Sequence, residues 1–255
     1  MKRPDRHEIS ALLEKHRIVP SPQCPPELLN AHRSLIYFIV RAFESDPRAA
    51  TGMLAAVIEW YRRYDELASA QPTEKDFEYP TGKVRLRLAC GAGCDPCCTT
   101  PVSAIGPEVA LIAVYIKGEF TPDQRAALAA RIETRKESIQ AAPQGVHMCP
   151  LNVHGKCSVY GMRPLNCRKW HSFDESACRK AFLHGDRAVL IPRGSVRADA
   201  SGLVWQSAVA AFSAVGLPVK ELDFVPALEL ALADEHIAAR YAAGEPVFAD
   251  VERLR

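Results

Sequence analysis

The placement of the cysteines is the feature that most constrains this chain. Eight of the nine cysteines fall between Cys90 and Cys178, and only Cys24 stands apart. Ordinary core cysteines are scattered, so thiols gathered in this way indicate a metal or iron–sulfur site, a disulfide framework or a thiol relay. The first group is Cys90, Cys94, Cys97 and Cys98, and the second group is Cys149, Cys157, Cys167 and Cys178.

Composition favours a metal over disulfides. A chain of 255 residues with 48% hydrophobic residues builds a stable core without disulfides. The charged N-terminus has no apolar signal region and no 18-residue apolar run follows, so we expect a cytoplasmic protein. Clustered thiols in a reducing cytosol persist as metal-bound thiolates more readily than as disulfides. The net charge of +2 gives no reason to expect nucleic acid or a membrane as a partner. The sequence leaves the oligomeric state open.

Apolar periodicity predicts a mainly α fold: a single helical domain with cysteine-rich loops around a metal or iron–sulfur centre and at most one short β-hairpin. We expect a helical part at 1–82, a cysteine-cluster core at 83–188 and a second helical part at 189–255, integrated into one domain. Strict alternation over 83–88 predicts a short strand that leads into Cys90, after a polar loop at 71–82.

Helix signals surround the two cysteine groups. Pro107 begins one helix, and Thr121 with Gln124 forms a capping box for the next. Packed as a hairpin, these two helices would bring the cysteine groups together. Asp46 and Pro47 indicate a helix start, and Ser172 with Glu175 predicts a capping box for a short helix that carries Cys178.

The spacing of the first group suits metal binding. Cys94 and Cys97 form a C-x-x-C turn in which two sulfurs point at one ion and backbone N–H groups turn toward the sulfurs. Adjacent Cys97 and Cys98 do not easily bind one metal with relaxed geometry, so one of them serves a second metal, bridges or stays free. Four thiolates saturate one tetrahedral zinc or hold one 2Fe–2S or 4Fe–4S cluster. All eight clustered cysteines, Cys90 and Cys178 included, are therefore candidate metal ligands, enough for two full sites or for one full site with spare ligands.

Basic residues are in excess around the second group. They either offset the negative charge of bound thiolates and lower the thiol pKa values, or are simply exposed. Tyr160, Arg163 and Arg168 are candidates to orient a cofactor or to bind an anionic substrate, with loop pinning as the alternative. His147, His154 and His171 are nearby residues that would replace a thiolate, lie behind one or simply be exposed.

The stretches CDPCC, CPL, GKCSVY and RPLNCR, between Leu88 and Phe182, resemble the YkgJ-type CxxCxxCC cysteine-cluster family. Its members are described as zinc- or iron-chelating, and flagellin lysine methylases carry a similar pattern. Cys90 departs from the pattern, because three residues separate it from Cys94 where the family has two, and Cys178 matches a trailing cysteine. The resemblance implies that the metal ligands are Cys94, Cys97, Cys98, Cys149, Cys157 and Cys167.

These observations support two main hypotheses. In the first, an iron or iron–sulfur centre supports redox or group-transfer chemistry, including modification of a protein substrate. In the second, zinc staples the loops, and the helical surface binds a partner or the site buffers metal. The sequence has no P-loop, H-E-x-x-H or G-x-S-x-G motif, so it offers no separate catalytic signature. A thiol–disulfide protein is a third hypothesis.

Overall fold

A computed structural model describes residues 4–19, 26–46, 48–186 and 188–251 of the chain. The fold is mainly α-helical, as the periodicity predicts, and its strands are short. Cys24 and Pro47, both named in the sequence predictions, lie outside the described residues. The described residues form the α-helices α1 (Arg6–Lys15), α2 (Leu29–Glu44), α3 (Ala49–Ala68), α4 (Gly106–Glu119), α5 (Pro122–Ala141), α6 (Leu165–Arg168), α7 (Glu175–Leu183), α8 (Ser195–Ala214), α9 (Phe224–Ala233) and α10 (Ile237–Ala242).

The strands form three antiparallel pairs, more than the single hairpin expected. The predicted strand over 83–88 is confirmed as Gly82–Arg87, but the prediction of a loop over 71–82 is wrong because half of it, Glu74–Tyr79, pairs with that strand. Glu74 lies opposite Arg87 in this ladder, and the Phe77 ring contacts Phe173 with centroids 5.2 Å apart. The pairs are β1 (Glu74–Tyr79) with β2 (Gly82–Arg87), β3 (Ser103–Ile105) with β6 (Glu221–Asp223), and β4 (Asn152–Val153) with β5 (Lys156–Cys157).

Helices α2, α3 and α8 pack against one another around a buried tryptophan. Trp60 is fully buried, and its indole N–H donates to the carbonyl oxygen of Val204 at 3.1 Å. The rings of Trp205 and Phe212 lie 6.3 and 6.0 Å from the Trp60 ring. Because aromatic rings bury a large apolar area and the indole N–H is paired, this contact fixes the two long helices α3 and α8 against each other.

One continuous cluster of buried side chains extends from Ile9 to Phe248 and includes residues from all three sequence parts. Helix α4 lies at its centre and packs on α3, α9 and α10. The expected α4–α5 hairpin is loose: both helices contact α9, and direct contacts between them are few. Within the described residues, no helix combines the length and the apolar character needed to cross a bilayer.

Local capping follows the sequence in some places and not in others. The Thr121 capping box at α5 is confirmed, with Gln124 N–H donating to the Thr121 hydroxyl at 3.2 Å. The predicted box of Ser172 and Glu175 is wrong, because Asp174 caps α7 by accepting from the Ala177 N–H at 3.1 Å. The Ser172 hydroxyl instead bonds the backbone of Asp174, and the carboxylate of Asp174 is the better placed acceptor.

Candidate metal centre

The first cysteine group lies in a tight loop between β2 and β3. The N–H of Ala89 donates to the Ser172 carbonyl at 2.9 Å, which joins this loop to the end of the second group. A short 3-10 turn over Pro96–Thr99 follows, and the N–H of Cys98 donates to the Asp95 carbonyl at 2.8 Å. The C-x-x-C segment is therefore folded back on itself, so its sulfurs lie on a compact turn.

The second group meets the first through the backbone. The N–H of Cys149 donates to the carbonyl of Cys98 at 2.8 Å, a direct link between the two groups. Strands β4 and β5 then form a hairpin whose two turn residues, His154 and Gly155, have φ of 51° and 78°. Positive φ at both positions is the geometry of a type I′ turn, which glycine favours. This turn places Cys157 at the end of β5, beside the first loop.

A cavity of about 80 Å³ lies between the two cysteine groups. This volume is several times the ~10–15 Å³ that one water molecule requires. Its other walls are mainly apolar and include Val102, Val159 and Phe224. The described cysteines are all free thiols. The cysteines that line the cavity are Cys94, Cys97, Cys98, Cys149, Cys157 and Cys167.

Three of the cavity thiols have a nearby N–H group that acts to lower the pKa of the thiol. Two donors are backbone amides two residues further along the chain, and the third is a side-chain amide. Because an N–H donor stabilises a negatively charged sulfur, these groups favour the thiolate form that binds metals. The donor and sulfur pairs are Leu151 with Cys149, Val159 with Cys157, and Asn152 with Cys98.

Burial keeps most of these thiols protonated in the metal-free chain. It raises the pKa of both Cys94 and Cys149 to about 12, and it raises the pKa of Cys157 and of Cys167 above the usual thiol value. The negative charges of neighbouring cysteines act in the same direction on all four pKa values. A bound cation would reverse both effects, because it removes the penalty for gathering thiolates in an apolar cavity.

Adjacent Cys97 and Cys98 share a hydrogen bond between their side chains. The Cys97 thiol donates to the Cys98 sulfur, which lowers the pKa of Cys98 to about 7 despite its burial. The same bond, followed by burial, raises the pKa of Cys97. The two neighbouring sulfurs therefore lie side by side on the cavity wall.

Cys90 and Cys178 lie outside the cavity, although Cys94 is near both. The Cys94 thiol is hydrogen-bonded to Cys90, and the charge of Cys178 contributes to raising the pKa of Cys94. The Cys90 sulfur accepts the backbone N–H of Ser172 at 3.1 Å. The eight clustered cysteines thus divide into six that line the cavity and two that pack behind Cys94.

The three residues predicted to bind a cofactor have different surroundings. Tyr160 and Arg163 line the cavity, and the Arg163 guanidinium lies 3.8 Å from the centre of the Tyr160 ring. Arg168 does not line it. The guanidinium of Arg168 bonds the carboxylate of Asp65 at 2.7 Å and the carbonyl oxygens of Gly161 and Arg163, so its donors hold the loop in place.

None of the three nearby histidines lines the cavity. Both ring nitrogens of His147 are engaged, with the Ser138 hydroxyl at 2.9 Å and the Ala142 carbonyl at 2.8 Å. His154 is exposed on the β4–β5 turn, and the buried His171 ring bonds the backbone of residues 169 and 194. The cavity is therefore a thiol site rather than a mixed thiol and imidazole site.

Two residues at the site carry no local sequence signal. Arg135, on α5, lines the cavity, although its helix reads as an ordinary charged surface helix. Glu108, on α4, is buried and accepts the backbone N–H of Leu165, two residues before Cys167. Only the tertiary contacts identify these two residues.

As the side chains stand, no group of three or more His, Cys, Asp or Glu residues within the described ranges is arranged to hold a metal ion. Comparisons of the chain with protein-family models, with curated proteins and with solved structures gave no match. The resemblance to the cysteine-cluster family therefore depends on the cysteine motifs themselves and stays a prediction.

Proposed function

We propose that the six cavity cysteines bind an iron or iron–sulfur centre that supports redox or group-transfer chemistry, with a protein side chain as a candidate substrate. The observation that carries the proposal is the convergence of six free thiols from two distant sequence segments on one cavity. Four thiolates complete a tetrahedral zinc, so six provide more sulfur than a single structural ion uses.

The donor set is suitable for such a centre. Thiolates are the ligands of iron–sulfur clusters, and N–H groups directed at the sulfurs tune their charge and reduction potential. Leu151, Val159 and Asn152 provide such N–H groups here. A cysteine sulfur moves with a single side-chain torsion among staggered rotamers, so the thiols that line one cavity can converge on a bound centre without unfolding the loops.

The remaining walls would control the environment of the centre. When bound, an iron or iron–sulfur centre supplies electron-transfer or Lewis-acid chemistry at this cavity. Val102, Val159 and Phe224 exclude water from one side, which strengthens electrostatic interactions inside. Burial raises the pKa of Cys149, and the positive charge of Arg135 opposes part of that rise. The pKa of Cys98 is lowered mainly by the Cys97 thiol, and the positive charge of Arg163 adds to that effect.

Anaerobic purification followed by elemental analysis, absorption and EPR spectroscopy tests the proposal. We expect iron in the protein, sulfide if the centre is a cluster, and absorption near the visible range that bleaches on reduction. The control is the chain with Cys97 and Cys167 both changed to serine, purified in parallel. A colourless wild-type protein that takes up only zinc, even after iron–sulfur reconstitution, would contradict the proposal.

Zinc is the alternative centre, in a structural or metal-buffering protein that binds a partner. Cys90, Cys94 and Cys178 favour it, because they form a second small group of thiols beside the cavity. Stoichiometric zinc whose removal by a chelator unfolds the chain would support this alternative. Zinc that is removed while the fold persists would contradict a structural role.

A further inference from the structure

Two arginines on the wall of the cysteine cavity have buried N–H groups without partners. The Nε atoms of Arg135 and Arg163 are buried and, within the described residues, have no hydrogen-bond partner. Neither guanidinium forms an ion pair with a carboxylate in that part of the chain. Leaving a buried charged donor unsatisfied is costly, so such groups in a cavity indicate a missing acceptor.

The two arginines reach the cavity from different elements. Arg135 lies on α5, and Arg163 follows the short 3-10 turn over Tyr160–Met162. The Arg163 guanidinium stacks on the Tyr160 ring at 3.8 Å, which fixes its plane and leaves its edge free to donate. A planar guanidinium edge matches the two oxygens of a carboxylate.

We propose that Arg135 and Arg163 form a binding site for the carboxylate of a small, otherwise apolar molecule beside the cavity cysteines. The inference deepens the proposed function, since it names a ligand class for the same cavity. An apolar body is argued from the other walls, where Val102, Leu151 and Phe224 offer no hydrogen bonds from their side chains. The cavity of about 80 Å³ limits the ligand to a short chain.

Two other arginines of the region have hydrogen-bond partners for their guanidinium groups, so they serve as comparisons. Arg168 is fully engaged with Asp65 and two backbone carbonyls. Arg125, also on α5, donates to the Lys117 carbonyl at 2.7 Å and does not line the cysteine cavity. Arg125→Gln therefore removes a positive charge from the same helix without touching the site.

Calorimetric titration of the full, anaerobically purified chain tests the proposal with butyrate, neutral butyramide and inorganic phosphate as probes. We expect butyrate to bind and butyramide not to bind. Arg135→Gln and Arg163→Gln should each weaken butyrate by about tenfold or more, because each removes charged hydrogen bonds. Arg125→Gln should leave the affinity unchanged. Phosphate binding without butyrate binding would overturn the carboxylate assignment.

Metal content and a charge-conserving variant separate ligand binding from simple charge compensation of thiolates. Arg163→Lys keeps the charge and loses the planar fork. If the arginines bind a carboxylate, Arg163→Lys should bind butyrate more weakly than the wild type. Its metal content and its thermal midpoint should both match those of the wild type. Unchanged butyrate affinity in this variant, or metal loss with unchanged affinity in Arg163→Gln, would overturn the proposal. If the wild type contains metal but does not bind butyrate, only this inference fails. If it binds butyrate through the arginines but contains no metal, only the proposed function fails.

Discussion

Glu108 accepts a hydrogen bond from the backbone N–H of Leu165 at 2.7 Å, two residues before Cys167. The same carboxylate oxygen accepts the hydroxyl of Tyr61 at 2.9 Å, and the other oxygen accepts the N–H of Ile105 at 3.0 Å. Glu108 is only 1% exposed, and burial raises its pKa. One buried side chain thus joins α3, the start of α4 and the helix that carries a cavity cysteine.

We predict that Glu108→Ala lowers the free energy of unfolding by about 3 kcal/mol or more, because it leaves three buried donors without an acceptor. Glu108→Gln should also destabilise the fold, since its amide N–H group would face a donor. Urea unfolding followed by circular dichroism measures both effects. The control Glu137→Gln, on the exposed face of α5, should change stability by less than about 0.5 kcal/mol. If Glu108→Ala were as stable as this control, the hydrogen bonds that Glu108 accepts would not be stabilising the fold.

Serine substitution of the eight clustered cysteines should divide them by their position relative to the cavity. We predict that the cavity variants lose bound metal, most of it where Cys94, Cys97, Cys149 or Cys167 is replaced, because serine is a poor ligand for thiophilic ions. Cys90→Ser and Cys178→Ser should keep most of it, since these sulfurs lie outside the cavity. Elemental analysis after anaerobic purification gives the metal-to-protein ratio. The cavity variants replace Cys94, Cys97, Cys98, Cys149, Cys157 and Cys167.

Cys24→Ser is the control for that series, because Cys24 stands apart in sequence, and we expect its metal content to match the wild type. The Cys178 variant also needs a measured thermal midpoint, since Cys178 is buried on α7 and its loss also affects packing. Metal loss in Cys90→Ser equal to that in Cys97→Ser, or full metal retention in all six cavity variants, would show that the cavity is not the centre.

Local signals in the sequence were sufficient where neighbouring residues determine the structure. Thr121 caps α5 because its acceptor, Gln124, lies on the next turn. The six cysteines that line the cavity are the six that the family resemblance gives as metal ligands. Turn geometry explains why the closely spaced sulfurs of Cys94, Cys97 and Cys98 lie together, but not why they meet the second group. Positions 71–82 were mistaken for a loop because their strand depends on a partner, and polar residues such as Glu74 gain their pairing only in the ladder with Arg85 and Arg87.

The arginines show why the remainder of the site was not predictable. Arg163 and Arg168 are five residues apart in the same basic stretch, so the sequence treats them alike. In the structure Arg168 meets Asp65, which is about a hundred positions away, while Arg163 faces the cavity. Which arginine is neutralised depends on a contact between α3 and α6, and no local pattern encodes that contact.

Two glycines in helix interiors should respond oppositely to alanine. A Cβ at Gly52, on α3, would lie 2.2 Å from the carbonyl oxygen of Phe43 on α2, so Gly52→Ala must move the helices apart. We predict a loss of about 1–3 kcal/mol in unfolding free energy. Gly202, on α8, is exposed and has open space around its Cα, so Gly202→Ala should gain about 0.5–1 kcal/mol from helix propensity. Thermal unfolding compares the two, and stabilisation by Gly52→Ala would contradict the close approach of α2 and α3.

Acid should weaken the junction between α1 and α2 through Glu44. Burial raises the pKa of this carboxyl, but hydrogen bonds from Lys15, His16 and Arg41 outweigh it and lower the pKa to about 2. Since the folded pKa lies below the unfolded value of about 4.5, the stabilisation is present above pH 4.5 and is lost as pH falls toward 2. Glu44→Gln should therefore cost about 1 kcal/mol at pH 7 and progressively less as the pH falls through 2. Urea unfolding across this range measures the difference, with Glu14→Gln as the exposed control. A wild-type minus Glu44→Gln difference that stays constant with pH would contradict the assigned pKa.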